Sequence, residues 1–238
     1  MAELIVALDL PGERRALELV DRLGDGVDFY KVGLELFTRE GPSVLRELHT
    51  RGCRVFLDLK LHDIPNTVAS AAVAARELEV ELLTVHAAGG ARMMEAAREA
   101  LEGSATRLLG VTVLTSLSAG ELAASWGRSG LRPEDEVVRL AVQARECGVD
   151  GVVAAPSEVG PLRARLGPGA LLVTPGIRLS GEATHDQARV ATPGSAVRSG
   201  ADFLVVGRSI TEADDPLRAL ARIRAEMNAE MNEEKEGE

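Results

Sequence analysis

The sequence predicts an α/β protein, a (β/α)8 barrel of the TIM-barrel type. Three observations predict it. Eight short runs rich in Val, Ile and Leu recur along the chain, helical patterns separate them, and the 238 residues approach the ~250 typical of such a barrel. Alternation of buried strands with crossovers long enough for helices is the pattern of a parallel sheet.

The first run, LIVALD, ends on Asp9 and is followed by ERRALELVDRLG, whose apolar positions recur near every 3.6 residues among good helix formers. FYKVG carries Lys31 and Gly33, and VFLDLK carries Asp58 and Lys60. TVASAAVAARELE then reads as a helix, LLTVH as a strand ending at His86, and LLGVTVL as a strand leading to Thr115. DEVVRLAVQAREC is again helical, and GVVAA, LLVTP and FLVVGR complete the eight, reaching Pro156, Pro175 with Arg178, and Gly207 with Arg208. A doubly wound open sheet is the structural alternative. Against it, no GxGxxG follows the first strand and no GxxxxGK[ST] occurs. One catalytic domain is expected over residues 1–226, with an acidic polar tail at 227–238 that frays or is disordered.

Composition narrows the function classes. A formal net charge of −10 disfavours general binding to nucleic acid, whose phosphates reward a basic surface. No apolar run approaches the roughly 18 residues of a membrane span. MAELIVALDL has neither a basic segment before its apolar run nor a small-residue cleavage site after it, so no signal peptide is expected, and the expected location is cytoplasmic. Cys53 and Cys147 lack CxxC spacing and read as small packing residues. Of 27 basic residues only Lys31, Lys60 and Lys235 are lysines. Arginine is always protonated whereas lysine can yield a proton, so a lysine at a strand end points to chemistry.

Barrel enzymes draw their catalytic groups from the C-terminal ends of several strands. Residues two apart on a strand share a face, so Asp58 and Lys60 point into the barrel while Leu57 and Leu59 point to the helices. Asp9 and Lys31 fall on the neighbouring strands, and signs alternate across the mouth. A structural ion-pair network would explain the same pattern. Burying four charges nevertheless costs several kcal/mol per ion before pairing offsets it, which favours a site. A lysine flanked by carboxylates is held as an ammonium, unsuited to a Schiff base and suited to protonating a carbanion. Gly207 and Arg208 at the eighth strand, with Arg178 at the seventh, form the expected phosphate-binding end, and Ser209 is a candidate helix cap. The polar stretch LSGEATHDQARVATPGS between them reads as a lid.

The unbroken pattern DLKLHDIPNT, Asp58 to Thr67, resembles the D-x-K-x-x-D-I-P-N-T motif of the orotidine 5′-phosphate decarboxylase family. Supporting matches are ALD ending at Asp9, KVG from Lys31, LTS at Thr115, PGIR, Gln187 and VGRS. The resemblance covers essentially the whole chain. It implies loss of CO2 from orotidine 5′-monophosphate to give UMP, without cofactor or metal. Lys60 would protonate the carbanion, Asp58 would lie against the departing carboxylate, and Lys31 and Asp9 would serve the ribose end and the charged network. Thr115 and Ser118 would reach the pyrimidine, while Arg178, Gln187, Gly207 and Arg208 would hold the phosphate. It further implies a homodimer in which Asp63, Ile64 and Thr67 reach the partner's site.

His62 and His86 lack HxxxH or HxH spacing, which argues against a metal site; His62 reads as a loop residue at the dimer interface, and His49 and His185 as exposed. Trp126 and Tyr30 read as packing residues. A related barrel using a magnesium-stabilised enediolate would be expected to carry a carboxylate where Lys31 stands, and a ribulose-phosphate epimerase would need histidines at the second and third strand ends. A phosphoribosyl-binding barrel without catalysis is a different class, opposed by the presence of both Asp58 and Lys60.

Overall fold

The computed structural model describes residues 2–179 and 190–236, with side chains to residue 230. In chain order its elements are β1 (Glu3–Ala7), α1 (Glu13–Leu23), β2 (Phe29–Gly33), α2 (Leu34–Glu40), α3 (Ser43–Thr50), β3 (Arg54–Leu61), α4 (Pro65–Glu77), β4 (Leu82–His86), α5 (Ala91–Ala100) and β5 (Arg107–Val111). There follow α6 (Ala119–Trp126), α7 (Pro133–Glu146), β6 (Gly151–Val153), α8 (Val159–Leu166), β7 (Leu171–Thr174), α9 (Pro193–Arg198), β8 (Phe203–Val206), α10 (Arg208–Thr211) and α11 (Pro216–Glu236). The strands pair in parallel in sequence order, and β1 closes on β8 from Glu3↔Phe203 to Val6↔Val206. Closure excludes the open-sheet alternative.

Local sequence explains the helices. Ala16, Leu19, Val20 and Leu23 fall on one buried face of α1, the i, i+3, i+4, i+7 spacing of an amphipathic helix. Pro65 starts α4 at a position where its missing N–H costs nothing, and it holds Ile64 extended at φ −60°, ψ 151°. In α7 Pro133 plays the same part, followed by Glu134, Asp135 and Glu136 against the positive end of the helix dipole.

The strand period of two divides the core into shells. Ile5, Ala7, Phe29, Phe56, Leu82, Leu109, Val173, Phe203 and Val205 fill the barrel, while Leu4, Val6, Tyr30, Val55, Leu57 and Leu83 face the helices. At the N-terminal mouth Arg54 grips Glu81 through Nε and Nη2 at 2.6 and 2.7 Å and stacks over Phe29, 4.2 Å from the ring centre. Arg107 also pairs with Glu81. The arginines hold the Glu81 carboxyl below the usual carboxylate range despite its burial. This end of the barrel is plugged, and the open end lies at the C-termini of the strands.

α11 spans the boundary at 226/227, with Ala219, Leu220, Ile223 and Met227 keeping one helix face on the barrel. One expectation changes. His49 is only partly exposed: its ring lies 3.2 Å from the carbonyl oxygen of Cys53 and 3.0 Å from that of Leu78. Cys53 and Cys147 are buried free thiols, Tyr30 is fully buried with its hydroxyl donating to Val27 O at 3.1 Å, and Trp126 packs against the core.

Candidate active site

A cavity of about 410 Å³ opens at the C-terminal mouth. Its floor is the inner shell, reached by Ala7, Phe56, Val111, Val153, Val173 and Val205. One step beyond each of three apolar residues the same strand face turns charged: Ala7 is followed two residues on by Asp9, Phe29 by Lys31, and Phe56 by Asp58. The polar groups thus stand on a hydrophobic base that fixes their height in the barrel.

β1, β2 and β3 lie side by side, and their charges form a continuous chain. Nζ of Lys31 donates to Oδ1 of Asp9 at 2.8 Å and lies 3.8 Å from Oδ2 of Asp58, which accepts from Nζ of Lys60 at 2.7 Å. The inner members, Lys31 and Asp58, have side chains only 10% and 11% exposed, whereas Lys60 and Asp9 are 36% and 62% exposed. Each inner charge has an opposite charge on either side, which offsets desolvation. The outer two face the cavity. Gly33 makes the arrangement possible, since a Cβ there would stand 2.9 Å from Oδ1 of Asp9 and 3.0 Å from Nζ of Lys31.

Lys60 does not simply continue the strand. β3 pairs with β4 at Leu57↔Leu83 and again at Leu61↔Val85, so β3 advances farther than β4 between these points. The excess is absorbed in a bulge where Lys60 takes φ +51°. That left-handed conformation costs a non-glycine residue about 1–3 kcal/mol. The fully buried Thr84 spans the bulge: its Oγ1 accepts from the Lys60 backbone N–H at 2.9 Å and donates to Oδ1 of Asp58 at 3.0 Å.

Beyond β7 and β8, next to β1 around the closed barrel, Arg178, Gly207 and Arg208 line the same cavity, joined by Pro175, Gly176, Thr211 and Glu212. Arg178 is buried, and its Nη1 donates to Ile177 O at 3.1 Å. A Cβ on Gly207 would meet only Ala7 at 3.7 Å, an ordinary contact. Protein packing therefore does not demand glycine there, and the vacant position belongs to the cavity. Thr115, beyond β5, lines the side away from Asp9 and Lys31.

The structure thus gathers Asp9, Lys31, Asp58, Lys60, Thr115, Arg178, Gly207 and Arg208 around one space. Asp63, Ile64 and Thr67 are exposed beyond β3 and do not line it; Asp63 Oδ1 accepts from the Ile64 N–H at 2.6 Å. Ser118 does not line it either, because it caps α6 in a reciprocal box with Glu121. Ser209 sits inside α10, whose N-cap is Gly207. Gln187, His185 and most of the expected lid lie outside the described residues.

His62 and His86 face one another with ring centres 5.3 Å apart. Burial first, then the charges of His62 and Lys60, push the His86 imidazole below its usual range, against the pull of Asp58. Among the described residues no three His, Cys, Asp or Glu side chains converge as a metal site requires. Also among the described residues, no helix is long and apolar enough to cross a membrane.

Sequence reasoning missed Thr84, Thr211 and Glu212, and named Gly33 only as a strand-end residue without its part in clearing space for the ion pair. Gly33 follows Lys31 by two and so shares its face; Thr84 is the lone hydroxyl within LLTVH and shares the inner face with Leu82. Those parities were the available signals. Thr211 and Glu212 reach the cavity only through the turn of α10 and had none.

Comparison with known proteins agrees with the motif. Residues 2–223 match the family described as orotidine 5′-phosphate decarboxylase / HUMPS. A protein of Nitrosococcus oceani named orotidine 5′-phosphate decarboxylase is 49% identical over 229 residues, covering 95% of this chain and 98% of its own. One of the same name from Halorhodospira halophila is 51% identical over 228 residues, covering 95% and 96%. The crystal structure of orotidine 5′-phosphate decarboxylase from Lactobacillus acidophilus superposes with a TM-score of 0.84 at 40% identity, covering 96% of this chain and all of that one. With its family motif running from a bulged third strand into the loop beyond, and its sequence matched almost end to end, the chain belongs to the orotidine 5′-phosphate decarboxylase / HUMPS family.

Proposed function

We propose that this protein removes CO2 from orotidine 5′-monophosphate to give UMP. The observation that carries the proposal is the chain Asp9, Lys31, Asp58, Lys60 at the ends of β1 to β3, in the same cavity that Arg178 and Arg208 line beyond β7 and β8. A phosphate gripped at β7 and β8 leaves the base free to lie over the lysines. The C6–carboxylate bond breaks heterolytically, CO2 departs, and the electron pair stays on C6. Lys60 then delivers a proton from Nζ to C6, and solvent restores the ammonium. Asp58, held between two ammoniums, faces the carboxylate that leaves, and an ammonium beside a developing carbanion stabilises it in a water-poor cavity. Lys31 and Asp9 serve the ribose end, Thr115 the pyrimidine. At Gly207 the missing Cβ leaves room for an anion to approach the backbone. No step assigned here uses a cofactor or metal.

The same proposal includes a homodimer. Asp63 and Ile64 in the loop after β3 and Thr67 in the first turn of α4 are all exposed, Ile64 to 66%, as residues that reach a second subunit must be. A cytoplasmic location belongs to the same reading.

The test is turnover of orotidine 5′-monophosphate by the purified protein in excess EDTA, followed by loss of orotate absorbance. Turnover is expected. None at all would sink the proposal, and turnover restored only by magnesium would favour enediolate chemistry.

A further inference from the structure

We propose that Thr84 is a positioning residue for the reaction, holding Asp58 and Lys60 in register through one hydroxyl. The proposal rests on the decarboxylase reading above. At the bulge the Lys60 N–H donates to the side chain of Thr84 on β4. Oγ1 of Thr84 accepts that N–H at 2.9 Å and spends its own proton on Oδ1 of Asp58 at 3.0 Å. Oδ2 of the same carboxylate accepts from Nζ of Lys60 at 2.7 Å. These contacts close a ring: backbone of Lys60, hydroxyl of Thr84, both oxygens of Asp58, ammonium of Lys60. The ring fixes the plane of the carboxylate and the backbone from which the lysine springs.

The residue type suits the task. A hydroxyl is both donor and acceptor, as this position requires, and a β-branched side chain is stiff at χ1. Thr84 is fully buried, so water does not substitute for it. It does not line the cavity, so its influence on substrate passes through Asp58 and Lys60.

Thr84→Val keeps the shape and removes the hydroxyl; Thr84→Ser keeps the hydroxyl. Misplacement of reacting groups by about 1 Å can cost roughly 100-fold, so Thr84→Val should lower kcat by about 10- to 100-fold with KM changed less than about threefold. Thr84→Ser should recover kcat to within about threefold of the parent. Folded Thr84→Val with parental kcat overturns the proposal, as does Thr84→Ser as slow as Thr84→Val. Should the valine protein not fold, Thr84→Cys, similar in size and poor in hydrogen bonding, takes its place with the same expectation. Crystal structures separate this proposal from the one it rests on. If the parent does not turn over orotidine 5′-monophosphate, the decarboxylase reading fails. The role of Thr84 is still decided by whether the valine or cysteine variant displaces the Lys60 backbone and its Nζ from Asp58; unchanged geometry overturns it.

Discussion

Lys60 turns back along its own strand to place Nζ 2.7 Å from Oδ2 of Asp58, across a bulge that puts its backbone at φ +51°. A lysine so tethered presents a charged donor at one fixed place on the cavity wall. Lys60→Ala should lower kcat for decarboxylation by at least about 100-fold, the low end of what a positioned acid contributes. Stopped or steady-state loss of orotate absorbance measures it, and parental kcat in this variant would remove Lys60 from the mechanism.

Gly33→Ala tests the clearance around the charged chain. The new methyl would stand 2.9 Å from Oδ1 of Asp9 and 3.0 Å from Nζ of Lys31, so the ion pair must part or rotate. Since this end is assigned to the ribose, KM should rise by about 10-fold with circular dichroism unchanged. An unaltered KM would mean that the pair relaxes without cost.

Arg208→Ala addresses the phosphate end. A hydrogen bond to a charged group contributes about 1.5–3 kcal/mol, so losing the guanidinium should raise KM by roughly 10- to 100-fold, and orotidine without its phosphate should be insensitive to the change. Equal losses for both substrates would place Arg208 outside phosphate binding.

Subunit mixing tests the shared site. Asp63 does not line the cavity of its own chain, so Asp63→Ala and Lys60→Ala proteins, each nearly inactive, should regain activity when mixed and allowed to exchange. A heterodimer then rebuilds one intact site out of two. Confirmed exchange without recovery would count against sharing.

His86 predicts a pH dependence of stability. Its folded imidazole titrates below the unfolded value, chiefly through burial, which is ~6.5 for an unfolded histidine. As pH falls through ~6.5 the unfolded chain binds the proton first, so stability present above that value is lost on acidification. His86→Gln should therefore flatten the fall of melting temperature between about pH 6.5 and 5. Parallel curves for the two proteins would exclude His86 as a source of that slope.

Much of this was legible in the linear chain because a strand has a period of two. Ile5, Ala7 and Asp9, or Phe29, Lys31 and Gly33, occupy one face whatever surrounds them, so an apolar floor with charges above it follows from spacing alone. Burial of eight apolar runs with helices between them leaves closure as the economical outcome, and PGIR and VGRS fall at the last two strand ends for the same reason.

Other features depend on which strand meets which, and at what height. LLTVH looks like a strand with a stray threonine until the register slip between β3 and β4 brings Thr84 beneath Lys60. Ser118 reads from the sequence as a pyrimidine contact, whereas its part in capping α6, where its hydroxyl accepts from the Glu121 N–H, shows only in the fold. DIPNT begins where β3 leaves the barrel, and the rigid Ile64–Pro65 entry into α4 carries Asp63 outward. Alternation along one strand is a local property of the backbone and can be counted from the residues. Register between strands, and the height at which a loop departs, come from packing residues far apart in sequence, and only the folded barrel brings those together.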